Sequence, residues 1–259
     1  MSEKAEALVL RVVEFSETSS VLTLFSREFG KIHALAKGAR RPKGPFESAL
    51  DLLSRVRLVF PRKSSEALDL LTEAKLERRF RTAGRDLSGL YGAYYVAELL
   101  NELTHDGDPH PELFDLAVET LENLSAGSPP AGSTTLRFEL AALRILGHLP
   151  SLGHCVECGD PVATTHKGAA RRTAFGLTVG GVLCDTCRPG KKNVVSLSPE
   201  SLTLAASFAE ESDAWKSASI ERRQAGELRG VVSKYVSHLL GHKTRLHDYL
   251  VPPGNPPAS

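Results

Sequence analysis

Cys155-Val156-Glu157-Cys158 is the first of two matching stretches in this chain, and Cys184-Asp185-Thr186-Cys187 is the second. Together they hold all four cysteines of the sequence, and 25 residues separate them. A C-x2-C step places two thiolates on one tight turn, so two such turns brought face to face supply the four tetrahedral sulfur ligands that a structural zinc ion prefers. The spacing therefore predicts one structural Zn²⁺ per chain, with these metal ligands: Cys155, Cys158, Cys184 and Cys187.

The alternatives are unrelated thiols, two disulfides or a redox-active pair. Disulfides require an oxidising compartment, and residues 1–6 lead directly into a strand-like run without an apolar signal segment of the usual length. A thioredoxin-type motif occurs singly beside a βαβ pattern, which this sequence lacks. His154 and His166 could replace one sulfur, but four thiols already complete the coordination, so we expect His154 at most to hydrogen-bond to a ligand.

Working outward from the cysteines, glycines and short apolar runs predict a small hairpin at residues 150–190, with short strands around Phe175, at 177–179 and at 182–183. Before it, a period of 3.6 residues predicts three helices, over 85–103, 111–124 and 135–147, with a Pro/Gly/Ser loop at 125–135. After it, Ser198-Pro199 marks a helix start, and a last amphipathic stripe covers 228–239. The hairpin is therefore predicted to be an insertion between helices.

The first 80 residues have a different rhythm. Short segments rich in Val, Leu, Ile and Phe alternate with polar or Gly/Pro stretches, at 6–14, 20–26, 31–36, 52–60 and 67–74. Five strands in about 75 residues fit an OB-fold, an open Greek-key barrel that binds oligonucleotides on one face. An SH3-like barrel would give nearly the same pattern.

These observations predict an α+β protein in which an N-terminal OB-fold β-barrel precedes an α-helical domain that carries the inserted four-cysteine zinc hairpin. The predicted domains are a nucleic-acid-binding OB-fold at 1–80, a helical domain at 81–250 and a disordered tail at 251–259, which holds four prolines. The chain lacks an apolar run of about 18 residues or more, so we expect a cytoplasmic protein.

The formal net charge of +1 hides an uneven distribution. Residues 1–80 carry 15 Lys and Arg against 11 acids, residues 81–150 carry 4 against 10, and residues 151–259 carry 13 against 10. A basic first part and a mildly basic last part flank an acidic middle, as expected when one lobe meets a polyanion.

Ten cations lie between residues 27 and 63, and the loop 37–43 is the densest part of this cluster. Small residues and a proline there leave the charged groups uncovered for phosphates. A solvated charged loop is the alternative. Further cations surround the cysteine hairpin. The predicted nucleic-acid-binding residues, which are DNA-binding residues if the resemblance described below holds, are Arg27, Lys31, Lys37, Arg40, Arg41, Lys43, Arg55, Arg57, Arg171, Arg172, Lys191 and Lys192.

Most phenylalanines of the barrel segment should be core residues, with Phe29 and Phe46 as the better candidates for stacking on a base. No enzyme motif occurs: G-x4-G-K-[ST], H-E-x-x-H and G-x-S-x-G are all missing, and the histidines form no metal-ligand series with carboxylates. We therefore expect a binding protein that is not an enzyme.

Four stretches, in order along the chain, resemble the RecO family. They are Phe29-Gly30-Lys31 continuing to Arg41, Arg137-Phe138-Glu139-Leu140 with Leu146 to Pro150, Phe175 through Gly180-Gly181 to Cys184, and Leu240-Gly241-His242-Lys243-Thr244-Arg245. The family motif more usually has serine where this chain has Thr244.

The resemblance implies a bacterial DNA repair and recombination mediator of the RecF pathway, nucleoid-associated in the cytoplasm. Such a protein binds single- and double-stranded DNA, anneals complementary strands, and forms a complex with RecR. It helps to load recombinase on strands covered by single-strand-binding protein. The alternative is a zinc-containing OB-fold protein that binds RNA, because an OB-fold does not distinguish the two nucleic acids.

Overall fold

The computed structural model describes residues 2–41, 44, 46, 49–61, 68–162, 165–166 and 169–250. The chain divides into two compact units, Met1–Ala126 and Gly127–Ser259. None of the helices within the described ranges combines the length and apolar character needed to cross a membrane. The predicted tail at 251–259 lies outside the described residues.

The first unit contains a six-stranded sheet with the order β5-β3-β2-β1-β4-β6. Its strands are β1 (Ser2–Glu14), β2 (Ser20–Ser26), β3 (Gly30–Ala36), β4 (Arg55–Pro61), β5 (Asp69–Leu71) and β6 (Glu73–Arg78). The first four agree with the predicted segments. The fifth predicted segment is divided at Thr72, so that β5 pairs in parallel with β3 while β6 pairs antiparallel with β4.

The sheet is curled, and β1 causes much of the curl. Residues 2–8 of β1 pair with β4, residues 7–14 pair with β2, and the register with β2 shifts between Val9 and Arg11. Such a bulge bends the strand and increases its twist. One side of the curled sheet encloses an apolar core that includes Val9, Leu22, Leu24, Val56 and Leu58. This is the OB-like half-barrel that the sequence predicts.

The first residue of β3, Gly30, lies where another segment of backbone passes very close. Its φ is +67°, and a Cβ at this position would lie 2.1 Å from the carbonyl oxygen of Asp108. The neighbouring Gly107 N–H donates to the carbonyl of Lys31 at 2.9 Å, so the segment 106–108 crosses the start of β3. Only glycine fits this combination of left-handed backbone and contact.

Two helices complete the first unit, α1 (Leu87–Leu103) and α2 (Pro111–Ala126). Asp86 caps α1 by accepting the N–H of Gly89 at 3.1 Å. Phe114 of α2 packs against Phe25 of β2 with ring centroids 6.3 Å apart. The first compact unit therefore contains both the barrel and two helices that the sequence analysis assigned to the helical domain. The predicted domain boundary at residue 80 stays a prediction.

Within its described residues, the second unit contains three α-helices, two short 3-10 helices and two small sheets. The helices are α3 (Ala131–Ile145), α4 (Pro199–Ala209) and α5 (Arg222–Leu240), and the strands are β7 (Thr165–His166), β8 (Ala169–Ala170), β9 (Thr173–Gly176), β10 (Gly181–Leu183) and β11 (Val194–Leu197). β9 lies between β10 and β11 in a three-stranded antiparallel sheet, and β7 pairs with β8. The cysteine hairpin lies between α3 and α4, which confirms the predicted insertion.

Arginines of α3 hold the helices of this unit together. Arg137 donates to the carbonyl of Phe208 at 3.0 Å, and Arg144 donates to the carbonyl of Ala209 at 2.9 Å. Both carbonyls belong to the last turn of α4, where a cation opposes the negative end of the helix dipole. Glu139 of α3 forms a buried ion pair with Arg229 of α5.

Two details differ from the sequence analysis. The helix α3 begins at Ala131, inside the predicted loop, because the small residues of its first turn are buried and Thr135 donates its hydroxyl to the carbonyl of Ala131 at 2.9 Å. Burial here outweighs the weak helix propensity of Gly, Ser and Thr. Residues 177–179, predicted as a strand, form the turn between β9 and β10 instead.

Candidate metal centre and nucleic-acid interface

The four cysteines meet in one cluster. Their sulfur atoms all lie within 4.8 Å of one another, and the Sγ atoms of Cys158 and Cys184 are 3.8 Å apart. Four sulfurs at about 2.3 Å from a tetrahedral zinc ion are separated by about 3.8 Å, whereas a disulfide requires about 2.05 Å. All four thiols are free. The cluster therefore has the dimensions of a metal site and excludes disulfides.

Two equivalent turns build the cluster. The N–H of Gly159 donates to the carbonyl of Cys155 at 2.8 Å, and the N–H of Arg188 donates to the carbonyl of Cys184 at 3.0 Å. The N–H of Val156 donates to the carbonyl of Val182 at 3.0 Å, which ties the first turn to β10. Since β10 ends immediately before Cys184, the backbone itself holds the two turns face to face.

The thiols have divergent proton affinities. Burial raises the pKa of the Cys155 thiol, but hydrogen bonds from the backbone of Cys184, Cys158 and Glu157 lower it more, to about 6. The backbone of Asp160 lowers the pKa of Cys158, but its contacts with neighbouring thiols and burial bring it to about 12. Adjacent thiolates repel one another unless a cation lies between them. The donor set thus fits a divalent, thiophilic metal ion.

Within the described ranges, these cysteines form the only group of three or more potential metal ligands in reach of one ion. His154 is outside that group. Four protein ligands complete a tetrahedral shell and leave no position for a reactive water. A metal ion held here would stabilise the hairpin and would not take part in catalysis.

The cations around the hairpin are mostly in ion pairs. Arg171 contacts Asp185 at 2.5 Å, and Lys191 contacts Glu157 at 2.8 Å. Lys192 is exposed and forms no ion pair with any described side chain. Because pairing lowers the net charge that a polyanion meets, the hairpin surface offers less free positive charge than its composition suggests.

Arg172 has a structural role in addition. It contacts Glu227 of α5 at 2.6 Å, and the same carboxylate accepts the hydroxyls of Ser198 and Ser201 at 3.0 and 2.9 Å and the Ser198 N–H at 3.1 Å. Burial raises the pKa of Glu227, but these donors, led by Arg172, lower it to about 2. Glu227 therefore joins β9, the start of α4 and α5.

The four predicted barrel cations that lie outside the loop 37–43 are all engaged with protein groups. Arg27 forms a two-point contact with Asp115 at 2.9 and 3.0 Å. Arg55 pairs with Glu6, and Arg57 contacts Glu77 at 2.5 Å. The Nζ of Lys31 donates to the carbonyls of Asn101 and Thr104 at 2.9 and 2.8 Å, and this nitrogen closes the end of α1. These four cations are Arg27, Lys31, Arg55 and Arg57.

The loop after β3 presents the remaining barrel cations. Lys37, Arg40 and Arg41 are exposed, and a turn closed by Arg41 N–H donating to Gly38 O at 3.0 Å orders the loop. Arg40 contacts the exposed Glu14 at 2.9 Å. Lys37 and Arg41 form no ion pair with any of the described residues. Lys43 lies outside the described part of the chain.

Comparisons with known proteins identify the family of this chain. Two family models match in order, Recombination protein O N terminal over residues 1–80 and Recombination protein O C terminal over residues 84–247. A DNA repair protein RecO from Rhodopirellula baltica is 44% identical over 205 residues, which cover 79% of this chain and 74% of the relative. A DNA repair protein RecO from Anaeromyxobacter sp. strain K is 35% identical over 250 residues, 95% of each chain.

This chain belongs to the RecO family. The structure gives physical reasons for several residues that carried the resemblance. Gly30 permits the close passage of the segment 106–108, and Lys31 closes the C-terminal end of α1. Arg137 holds α4 and Glu139 pairs with α5. These residues of the RecO-like stretches stabilise the fold, whereas Lys37, Arg40 and Arg41 of the same first stretch are exposed to solvent.

The phenylalanines of this RecO-family barrel are arranged differently from the expectation. Phe46, a predicted stacking residue, is buried in the barrel core with 2% exposure, so this prediction is wrong. Phe29 packs edge-on against Phe60 with ring centroids 5.7 Å apart. Phe15 is an exception to the expectation that most of these phenylalanines are core residues, because it is 66% exposed. Its position between a strand and the polar stretch 16–19 was the sequence signal for exposure.

Proposed function

We propose that this RecO-family chain is a non-catalytic DNA repair and recombination mediator that binds single- and double-stranded DNA. The observation that carries the proposal is the exposed cationic loop at 37–41, set at the end of β3 in an OB-like barrel. Exposed cations exchange condensed counterions of DNA for phosphate contacts, which favours both strand forms with little sequence preference. The relatives' names, which speak of DNA repair, favour DNA over the RNA-binding alternative.

We further propose that the protein anneals complementary strands without a nucleotide cofactor. The barrier to annealing is the repulsion between two polyanions, and cations on the barrel and on the cysteine hairpin could neutralise one strand each. Phosphate contacts leave the pairing edges of the bases free. Because Arg171, Arg172 and Lys191 are paired, we expect the barrel loop to contribute more of the affinity than the hairpin.

Zinc is the proposed occupant of the cysteine cluster. Four thiolates in paired turns form the ligand set that structural zinc prefers, and binding there would be coupled to folding of the hairpin. The proposed protein partners are RecR and single-strand-binding protein, and the proposed place of action is the bacterial nucleoid in the cytoplasm. Family membership supports these partners.

Salt-dependent titration tests the DNA proposal. Matched single-stranded DNA, duplex DNA and RNA are titrated with the wild-type chain and with a triple variant of the loop, Lys37→Gln, Arg40→Gln and Arg41→Gln. Losing up to three phosphate contacts should reduce the slope of log affinity against log salt by up to about 2.7 on duplex and about 2 on single strands. A control with equal loss of charge replaces three other exposed arginines, Arg85, Arg222 and Arg223.

An unchanged slope in the loop variant would show that the loop is only solvated. Equal changes in the loop variant and the control would show that the net charge matters and the loop does not. A strong preference for RNA would favour the alternative function. Annealing of complementary strands is followed in the same buffers without ATP, and an absolute need for ATP would contradict the proposed mechanism.

A further inference from the structure

Phe15 stands at a point where three strand ends meet. Glu14 at the end of β1 pairs with Ser20 at the start of β2, and Ser20 pairs with Ala36 at the end of β3. Phe15 and Lys37 are the next residues after the two outer strands. Neighbouring strands are about 4.8 Å apart, so the two residues leave the sheet about 10 Å from each other. The aromatic ring and the cationic loop 37–41 therefore belong to one end of the barrel.

The loop 15–19 that carries Phe15 is well ordered by hydrogen bonds. The N–H groups of Phe15 and Ser16 donate to the carbonyl of Ser19 at 3.0 and 3.2 Å, and the N–H of Ser19 donates to the hydroxyl of Ser16 at 3.2 Å. The N–H of Arg40 donates to the carbonyl of Thr18 at 3.2 Å. The ring is thus presented on a short, closed loop joined directly to the cationic loop.

The exposure of Phe15 has no explanation in the packing of the barrel. Its side chain is 66% exposed, and Val13 beside it on β1 is 41% exposed. Val13 pairs with Val21, and Val21 pairs with Leu35, so an apolar row crosses the outer side of the three strands just before the loops. The exposed ring of Phe15 extends this apolar row, and contiguous exposed apolar surface is a feature of interaction sites.

The charged side chains around Phe15 indicate which kind of ligand would bind there. The exposed cations Lys37, Arg40 and Arg41 outnumber the acids Glu14 and Glu17 that flank Phe15 in sequence, and Arg40 is paired with Glu14. Aromatic rings beside cations are the usual combination for single strands, because the ring stacks on a base while the cations contact phosphates. A duplex keeps its bases in its own stack and offers no face to the ring.

We propose that Phe15 stacks on an unpaired base of single-stranded DNA while the loop 37–41 contacts the adjoining phosphates. This inference rests on the proposed function and adds a preference for single strands to it. The ring reads no pairing edge, so a base held on it could still meet its complement during annealing. Phe15 would thereby hold one strand in a form ready to pair.

Three ligands of equal length separate base stacking from phosphate contact: a single strand, a duplex, and a strand of abasic sites that keeps the phosphates. Phe15→Ala should weaken binding of the normal single strand by roughly 5- to 150-fold. Binding of the duplex and the abasic strand should change by no more than about two-fold, as for a surface substitution. Phe15→Trp should keep the single-strand affinity.

Leu87→Ala is the matched control, because Leu87 is also apolar, 61% exposed and part of the first unit. It should leave all three affinities unchanged. Thermal unfolding of each variant shows that the fold is intact, so that a loss of binding is assigned to the ring.

Equal losses on all three ligands, or no loss on the single strand, would overturn the stacking proposal while the DNA-binding function survives. Loss of RecR binding with every DNA affinity intact would assign the ring to a protein interface and also overturn it. Failure of the wild-type chain to bind any of the three ligands would refute the proposed function itself.

Discussion

Replacing Glu227 by glutamine should destabilise the second unit, because this carboxylate joins three elements. Arg172 before β9, Ser198 and Ser201 at the start of α4 all donate to it, and Glu227 itself lies on α5. Glutamine keeps the shape of the side chain. It removes the negative charge and turns one acceptor oxygen into a donor that faces other donors. The change therefore isolates the charge from the packing.

The magnitude follows from the pKa of Glu227, which is lowered from 4.5 to about 2. Each unit of pKa shift corresponds to about 1.36 kcal/mol, so the ionised carboxylate contributes about 3 kcal/mol to the free energy of unfolding at neutral pH. Its side chain is only 15% exposed, which limits screening by solvent. Because the folded-state pKa is the lower one, this contribution is complete above about pH 4.5 and is lost as the pH falls toward 2.

Thermal and urea unfolding of the wild type and Glu227→Gln, at pH 7 and at intervals down to pH 3, measure the effect. The difference in free energy of unfolding should approach 3 kcal/mol at pH 7 and shrink on acidification. Arg223→Gln is the control, since Arg223 is 77% exposed and lies 3.6 Å from the same carboxylate. It should cost less than about 1 kcal/mol. A Glu227→Gln variant as stable as the wild type, or a difference independent of pH, would refute the reasoning.

Three further outcomes are expected. Protein prepared under reducing conditions without chelator should contain one zinc ion per chain, and Cys184→Ala should lose it and destabilise residues 150–190, as measured by metal analysis and proteolysis. Reversing the charge of Lys191 and Lys192 should slow strand annealing, and an unchanged rate would mean that the barrel acts alone. Mixed with RecR at micromolar concentration, the chain should co-elute in size-exclusion chromatography, and separate elution of two folded proteins would count against the assignment of this partner.

The parts of the fold that depend on local sequence were predictable. A C-x2-C step specifies its own turn, and two copies of it require only that the chain between them form a hairpin, so the thiol cluster followed from spacing. The strands followed from short apolar segments separated by polar or Gly/Pro stretches. The helices followed from apolar residues that recur with a period of 3.6 residues. The early start of α3 did not, because the first turn is stabilised by burial that no local pattern encodes.

The states of individual charged and aromatic side chains were not predictable, because they depend on partners far away in sequence. Arg27 and Asp115 are 88 residues apart, and Arg172 and Glu227 are 55 apart. A count of cations cannot distinguish such paired groups from Lys37 and Arg41, which face solvent. Likewise, Phe46 follows a loop-like stretch but turns into the core, whereas Phe15 follows a strand and points away from it.

The division of the last barrel strand at Thr72 affects how the sheet can come apart. β5 and β6, the two outermost strands of the sheet order, belong to one continuous run of chain, so separating one of them pulls on the other. On β3, the part left open by β5 is crossed by Asp106 and Gly107. A partner protein therefore cannot extend the sheet by adding a strand along β3. Because the two outermost strands are linked in sequence, the barrel should open as a single cooperative unit.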